Sequence, residues 1–291
     1  MDSAAKGTGA SGAGVSARQL LVIGALELAG SLADNAAHDA RALLAHLLGI
    51  SPMELLAQDP EVMPDTARQF SEGVAQLAKG QPLQYIIKEA WFMGFPFHVQ
   101  PHVLIPRLDT ETVCQAALEV LPKGGLVLDL CTGSGALAVA VKKLRPDCAV
   151  HAADISEEAL DIARHNAQAN GADITFFQGD LFAPIQDRYD LILCNPPYIP
   201  AGELDTLAPQ VRREPRLALD GGEDGMRIYR RLIAEAPKYL KANGYLVCEL
   251  GDNQAEAVTN LARKDFSDIA VFNDLGGLPR ALRARMKEGK V

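Results

Sequence analysis

The stretch GLVLDLCTGSGALAVAVKKL, residues 125–144, decides the fold. Its first six residues are an apolar run with the length and composition of a buried strand. Five turn residues follow, Cys131, Thr132, Gly133, Ser134 and Gly135, and a helix is expected over 135–145. Gly133 and Gly135 can take backbone conformations closed to other residues and let a ligand approach the main chain. The helix behind them offers its positive amino end. The pattern does not fit GxGxxG and lacks the lysine of a P-loop. Alone it reads equally as a tight turn with no ligand or as a ligand-binding turn.

Strands and helices alternate outward from this stretch. AVHAAD, ITFFQGD, YDLILCNPP, GYLVCEL, IAVFNDL and ALRARM read as further strands, and helices are expected over 156–170, 225–242 and 252–264. Seven strands with helices between them predict an α/β fold, a mostly parallel sheet covered on both faces. Ligands of such sheets sit beyond the carboxyl ends of the strands. The second strand ends in Asp154, about twenty residues past the turn, where an acid can accept hydrogen bonds from two ribose hydroxyls. It could also cap the helix at 156. The third strand ends in Asp180, a candidate acceptor for an exocyclic amine such as adenine N6, with Leu181 and Phe182 able to flank a base. Four strands that each deliver a polar residue to one sheet edge are better explained by a nucleoside ligand than by four separate caps.

The fourth strand ends in CNPPYIP, residues 194–200. Pro196 and Pro197 remove two backbone donors, fix φ and push the residues before them out of the helical region. Asn195 therefore sits on a rigid extended turn at the sheet edge. Its side-chain carbonyl can accept one N–H and the Pro196 carbonyl another. Tyr198 offers a flat wall to a planar group. This is a cradle for an NH2 group, and it suits an amide or adenine N6 alike.

Ahead of the sheet, residues 17–82 read as a small bundle of four amphipathic helices. SPMELL is a helix start, with Ser51 as cap, Pro52 first and Glu54 three residues after the cap. Residues 83–104 turn β-branched and aromatic and predict a hairpin between Trp91 and Val99, turning near Gly94 and linking the bundle to a domain over 105–291. Asp109 or Thr110 is expected near a helix cap. Residues 1–16, small and polar, read as a flexible tail and not as a secretory signal.

Composition narrows the function. The net charge is −9, and neither part of the chain is basic: residues 1–88 carry six Lys and Arg against nine Asp and Glu, the rest 22 against 28. That disfavours a duplex nucleic acid as partner. No apolar run is long enough to span a membrane. Five cysteines without CxxC spacing suggest reduced thiols in a cytoplasm. Six scattered histidines with no HExxH predict no metal.

The ordered set DARALLAHLLG, QPLQYI, VLIPRLDTE, DLCTGSG, AAD, GDLF, NPPYIP, REPRLAL, DGMRIYRRLI and DLGGLPR covers nearly the whole chain from residue 38. It resembles the peptide-chain release factor glutamine methyltransferases, the HemK/PrmC family of class I S-adenosylmethionine-dependent methyltransferases. The resemblance implies a Rossmann-like methyltransferase sheet, S-adenosylmethionine as cofactor with S-adenosylhomocysteine as product, and methylation of the glutamine side-chain N5 in the GGQ motif of release factors. It implies a cofactor site at Cys131, Thr132, Gly133, Ser134, Gly135, Asp154, Asp180, Leu181 and Asn195. Catalysis and substrate binding then fall to Asn195, Pro196, Pro197 and Tyr198, with Arg107 at the substrate entrance. The helical bundle is expected to dock the protein substrate, and a monomer is favoured. The departures are Leu108, where the family usually has proline, and Cys131, where many members have glycine. A ribosomal-protein glutamine methyltransferase, a nucleic-acid adenine N6-methyltransferase and a cofactor-binding scaffold without catalysis are the alternatives.

Overall fold

The structure is a computed structural model that describes residues 14–33 and 35–288, so the expected tail lies outside the described residues up to residue 13. Its last residues are not tail. Val15–Ser16 form strand β1, which pairs antiparallel with β2, Glu61–Val62, and Ser16 caps α1, Ala17–Leu28, in a capping box with Gln19. The chain divides into two compact units, residues 1–87 and 88–291.

In the first unit α1 is followed by α2, Ala36–Leu48, α3, Pro52–Gln58, and α4, Pro64–Ala78. Gly49 ends α2 in the left-handed conformation, and Ser51 and Glu54 box the start of α3 as their spacing predicts. Leu43, Leu44, Phe70, Val74 and Leu77 form the core. Leu83–Ile87, read as β-like from composition, is instead a short helix, α5. The Pro82 carbonyl accepts from the Tyr85 and Ile86 amides, and Leu83 and Tyr85 are buried. Packing overrides their β preference.

The second unit opens with a hairpin, β3, Glu89–Phe92, and β4, Phe95–His98. Met93 and Gly94 both take positive φ, the mark of a two-residue turn that matches strand twist. Helix α6, Glu111–Leu118, leads into the sheet. Then follow β5, Leu126–Leu130, α7, Ala136–Leu144, β6, Ala149–Asp154, α8, Glu157–Ala169, β7, Thr175–Gln178, and β8, Tyr189–Cys194. After a looped stretch with the short α9, Arg216–Leu219, come α10, Arg227–Glu235, β9, Leu240–Glu249, α11, Ala255–Ala262, β10, Phe266–Asn273, and β11, Pro279–Met286. The helix expected over 225–242 is shorter. A 3-10 turn at Ala236–Lys238 follows it, because Pro237 has no amide hydrogen to continue the ladder.

The seven strands run in the order β10-β11-β9-β8-β5-β6-β7. β11 alone runs against the other six strands. Alternate residues of the central strands feed two cores. Leu128, Ile192 and Leu246 pack with Tyr229, Leu232 and Val258 of α10 and α11. Val127, Leu191 and Val247 pack with Val113 and Ala117 of α6, with α7 and with the hairpin residues Phe92 and Phe97. The chain direction across the sheet reverses between β5 and β8, which opens a crevice beyond their carboxyl ends.

Asn166 of α8 ties the hairpin to the turn after β5. Its Oδ1 accepts from the His98 amide (2.7 Å), and its Nδ2 donates to the carbonyls of His98 (3.0 Å) and Ser134 (2.9 Å). The side chain is buried. Asn166→Ala strands three backbone groups and is expected to lower the stability of the second unit by about 3 kcal/mol. Urea unfolding checks this, and an unchanged midpoint would show that the three bonds contribute nothing.

Candidate active site

The glycine-rich turn is built by left-handed backbone. Cys131 (φ 57°), Gly133 (φ 54°) and Gly135 (φ 81°) all lie there. Cys131 is not a glycine, so its conformation carries strain of the kind found at binding sites. The Gly133 amide donates to Asp154 Oδ2 (2.9 Å), and the Ser156 amide donates to Oδ1 (3.0 Å). Ser156, not Asp154, caps α8. Asp154 thus fastens the end of β6 to the turn after β5. Burial raises its carboxyl above the usual range, against the pull of these amides.

Asp129, inside β5, is fully buried under the same turn. Its Oδ2 accepts from the Thr132 hydroxyl (2.6 Å) and the Ala138 amide (3.2 Å), while Oδ1 has no partner among the described residues. Burial pushes its carboxyl up to about 7. Sequence reasoning passed over this residue, although an acid inside the apolar run LVLDL is a visible signal.

A cavity of about 390 Å³ lies beyond the strand ends, within the size range of small-molecule sites. Cys131, Thr132, Gly133, Ser134, Asp154, Asp180, Leu181, Asn195 and Pro197 line it. Gly135, Pro196, Tyr198 and Arg107 are not in its lining. His102, Leu104, Thr110, Arg227 and Arg231, which sequence reasoning missed, are. A side chain at Gly133 would meet nothing within 4 Å, so the backbone there is open to a ligand. Asp180 pairs with Arg231 (3.0 Å) through one oxygen, leaving the other available. Leu181 takes positive φ and lines the cavity. Phe182 does not flank it: the ring is buried and stacks on Tyr239 at 4.6 Å between centroids. The two residues lie in a turn, where the Ala183 amide donates to the Asp180 carbonyl (3.1 Å) and the Ile185 amide to the Phe182 carbonyl (3.0 Å), and the left-handed Leu181 lets Phe182 turn into the core. A nucleoside-bearing cofactor fits this set of open backbone, two acids and apolar walls.

The NPPY turn is held from beneath. Asn195 Nδ2 donates to Thr110 Oγ1 (3.4 Å), and the Thr110 hydroxyl donates to Glu249 Oε2 (2.5 Å). The Tyr198 hydroxyl donates to Glu249 Oε1 (3.1 Å), and the Tyr198 carbonyl accepts from Gln254 Nε2 (2.9 Å). A Cβ on Gly221 would come within 2.7 Å of the Tyr198 backbone, so only glycine lets the two segments meet. Arg107 pairs with the buried Glu214, which also accepts from the Ile105 amide (3.0 Å). This joins the PRLDTE segment to the loop after NPPY. Glu111 accepts from the Met93 amide (2.6 Å) and so anchors the hairpin turn. Among the described residues no three His, Cys, Asp or Glu gather where a metal could be held.

A sheet of this order with one antiparallel strand, a glycine-rich turn after β5 and an acid ending β6 defines a class I S-adenosylmethionine-dependent methyltransferase. Residues 106–211 match the methyltransferase small domain, and residues 19–87 match the PrmC N-terminal domain. The release factor glutamine methyltransferase of Geobacter sulfurreducens is 42% identical over 257 residues, 87% of this chain and 90% of that one. The Neisseria gonorrhoeae enzyme of the same name is 41% identical over 83% of this chain and 90% of its own length. The chain belongs to the release factor glutamine methyltransferase family. Among solved structures, a methyltransferase from Pyrococcus furiosus shares the fold, with a TM-score of 0.52 at 20% identity over 66% of this chain and 89% of that one.

The raised carboxyl of Asp129 has a measurable consequence. The folded chain keeps a proton there that the unfolded chain releases near pH 4. The stability this group contributes is complete below about pH 4 and is lost as the pH rises to 7, by up to about 1.4 kcal/mol per pH unit. Asp129→Asn removes the titration. The wild-type minus variant stability, from urea unfolding at several pH values, should fall across that window, whereas a flat difference would place the proton elsewhere.

Proposed function

We propose that the protein transfers the methyl group of S-adenosylmethionine to the side-chain N5 of the glutamine in the GGQ motif of peptide-chain release factors. The observation that carries this is Asn195, in the wall of the cavity, on a turn whose shape is fixed by two prolines and by Tyr198. The cofactor, when bound, supplies a methyl group already activated on a sulfonium. Asp154 is suited to the ribose hydroxyls and the free oxygen of Asp180 to the adenine amine, beside the open backbone at Gly133.

An amide nitrogen is a poor nucleophile because its lone pair is shared with the carbonyl. The residues must orient it and stabilise the positive charge it gains as the new N–C bond forms and the methyl–sulfur bond breaks. Asn195 Oδ1 and the Pro196 carbonyl accept its two N–H groups, an electrostatic effect of the oxyanion-hole type with reversed sign. Tyr198 supports the plane of the amide. The nitrogen turns acidic as it is alkylated and loses its proton afterwards, so the turn needs no strong base. A release factor is preferred to duplex nucleic acid because the chain carries a net charge of −9 with no basic segment. Five free cysteines with no disulfide support a cytoplasmic setting.

Labelled S-adenosylmethionine, purified release factor, the same factor with Gln→Ala in its GGQ motif, and duplex DNA test the reading. Label on the intact factor alone is expected, and label on DNA or on the altered factor would refute it. Asn195→Ala is expected to lower kcat by about 100-fold or more. Calorimetry should find that this variant still binds S-adenosylmethionine, since Gly133 and Asp154 are untouched.

A further inference from the structure

An asparagine amide has two ends of nearly equal shape and opposite hydrogen-bonding sense. Only one presentation serves an NH2 substrate: Oδ1 toward it and Nδ2 away. Shape alone does not choose between them, so the partner of the inner end must. That partner is Thr110, whose hydroxyl has a single hydrogen, and this hydrogen is committed to Glu249 Oε2 at 2.5 Å. Thr110 Oγ1 therefore faces Asn195 as an acceptor and takes the Nδ2 hydrogen at 3.4 Å. A flipped amide would set oxygen against oxygen.

The sense of the whole chain starts at Glu249. An ionised carboxylate can only accept, so it draws the Thr110 hydroxyl from one side and the Tyr198 hydroxyl (3.1 Å) from the other. It is 2% exposed, at the end of β9. The positive charge nearby is Arg280, itself held by Asp274 (3.1 Å), Asp252 (3.4 Å) and the Leu250 carbonyl (3.3 Å), with Asp109 at 3.7 Å. Burial raises the Glu249 carboxyl, and the two hydroxyls and Arg280 oppose that rise. Thr110 stands at the N-cap position of α6 yet makes no capping bond, so its hydroxyl is free for this task.

We propose that Glu249 is a positioning residue for methyl transfer: acting through Thr110, it fixes the polarity of the Asn195 amide so that the acceptor end meets the substrate. The inference rests on the reading of Asn195 given under Proposed function. It also bears on selectivity, since an outward acceptor takes an amide NH2 and repels a carboxylate, glutamine over glutamate.

Polarity can be reversed, which separates this role from simple support. In Glu249→Gln the new amide can donate to Thr110, which frees the hydroxyl hydrogen to turn toward Asn195 and favours the wrong flip. A fall in kcat of about 100-fold is expected, with the calorimetric Kd for S-adenosylmethionine unchanged. Asn195→Asp alone is expected to fail similarly, because two carboxylates then compete for the single Thr110 hydrogen. In the double variant Asn195→Asp with Glu249→Gln every group is paired again. The amide introduced at position 249 donates to Thr110, and the Thr110 hydroxyl donates to the carboxylate introduced at position 195. The outer oxygen of that carboxylate accepts from the substrate. The double variant should exceed either single variant by about tenfold. Full kcat in Glu249→Gln, or a double variant no better than the product of the two losses, overturns the proposal. Should Glu249→Gln not fold, Thr110→Ser and Thr110→Val decide alone: retained kcat in Ser with loss in Val supports it, and equal kcat in both overturns it. Wild-type protein that leaves release factor unlabelled refutes the proposed function itself, whereas labelling that Glu249→Gln leaves undiminished refutes only this step.

Discussion

Leu130, Cys194 and Cys248 lie side by side in the parallel register of β5, β8 and β9. Each is the last or nearly the last residue of its strand. The three chain segments must therefore leave the sheet along one line and share the space beyond it. Asp129, Asn195 and Glu249 are one position from those partners, and this is why residues far apart in sequence act on one cavity. Because the pairing is fixed by two apolar cores, a slip of one residue in β8 would send Ile192 and Cys194 to the core that Leu191 and Leu193 now fill and move Asn195 from its place beyond the sheet edge. The position of the substrate cradle thus depends on hydrophobic burial some distance from it.

That burial explains why two acids sit where acids are costly. Asp129 and Glu249 lie at the ends of apolar runs and are almost wholly removed from water. An unpaired buried carboxylate is strongly unfavourable. Each is offset by donors that also define the site: Thr132 and Ala138 for Asp129, Thr110 and Tyr198 for Glu249. The acids convert flexible hydroxyls into directed ones, and a directed hydroxyl constrains what the next group can do.

The sheet and the main cavity residues were readable from local pattern. The glycine turn, Asp154 and the NPPY turn announce themselves within a few residues, because strand, turn and helix signals are short-range. The hairpin turn at Met93 and Gly94 was legible for the same reason. What was not legible depends on pairing across long separations. Thr110 read only as a possible cap, and its true partners are 85 and 139 residues away. Arg231 looked like one of several arginines in a helix until Asp180 stood beside it. Phe182 and Leu83–Ile87 were misjudged where tertiary packing, not local preference, sets direction. The buried acids left a trace, a charge within a hydrophobic run, that says burial is functional without saying for what.

On the proposed reading of the NPPY turn, the geometry around Tyr198 fits a particular kind of catalyst. A site that moves protons needs a titrating group free to change state. Here the turn is made of prolines, Asn195 rests on Thr110, whose hydroxyl is committed to Glu249, the Tyr198 hydroxyl is engaged by the same acid, and three glycines, Gly221, Gly225 and Gly251, close on that tyrosine. Burial raises the Tyr198 hydroxyl beyond useful titration. Such a surround keeps two carbonyl dipoles in place with no reorganisation as charge develops. The same rigidity sets its limit. A cradle that recognises only a planar NH2 cannot by itself tell glutamine from adenine, so selection of the macromolecule must come from surfaces outside the turn, and an acidic chain is better matched to a protein than to a polyanion.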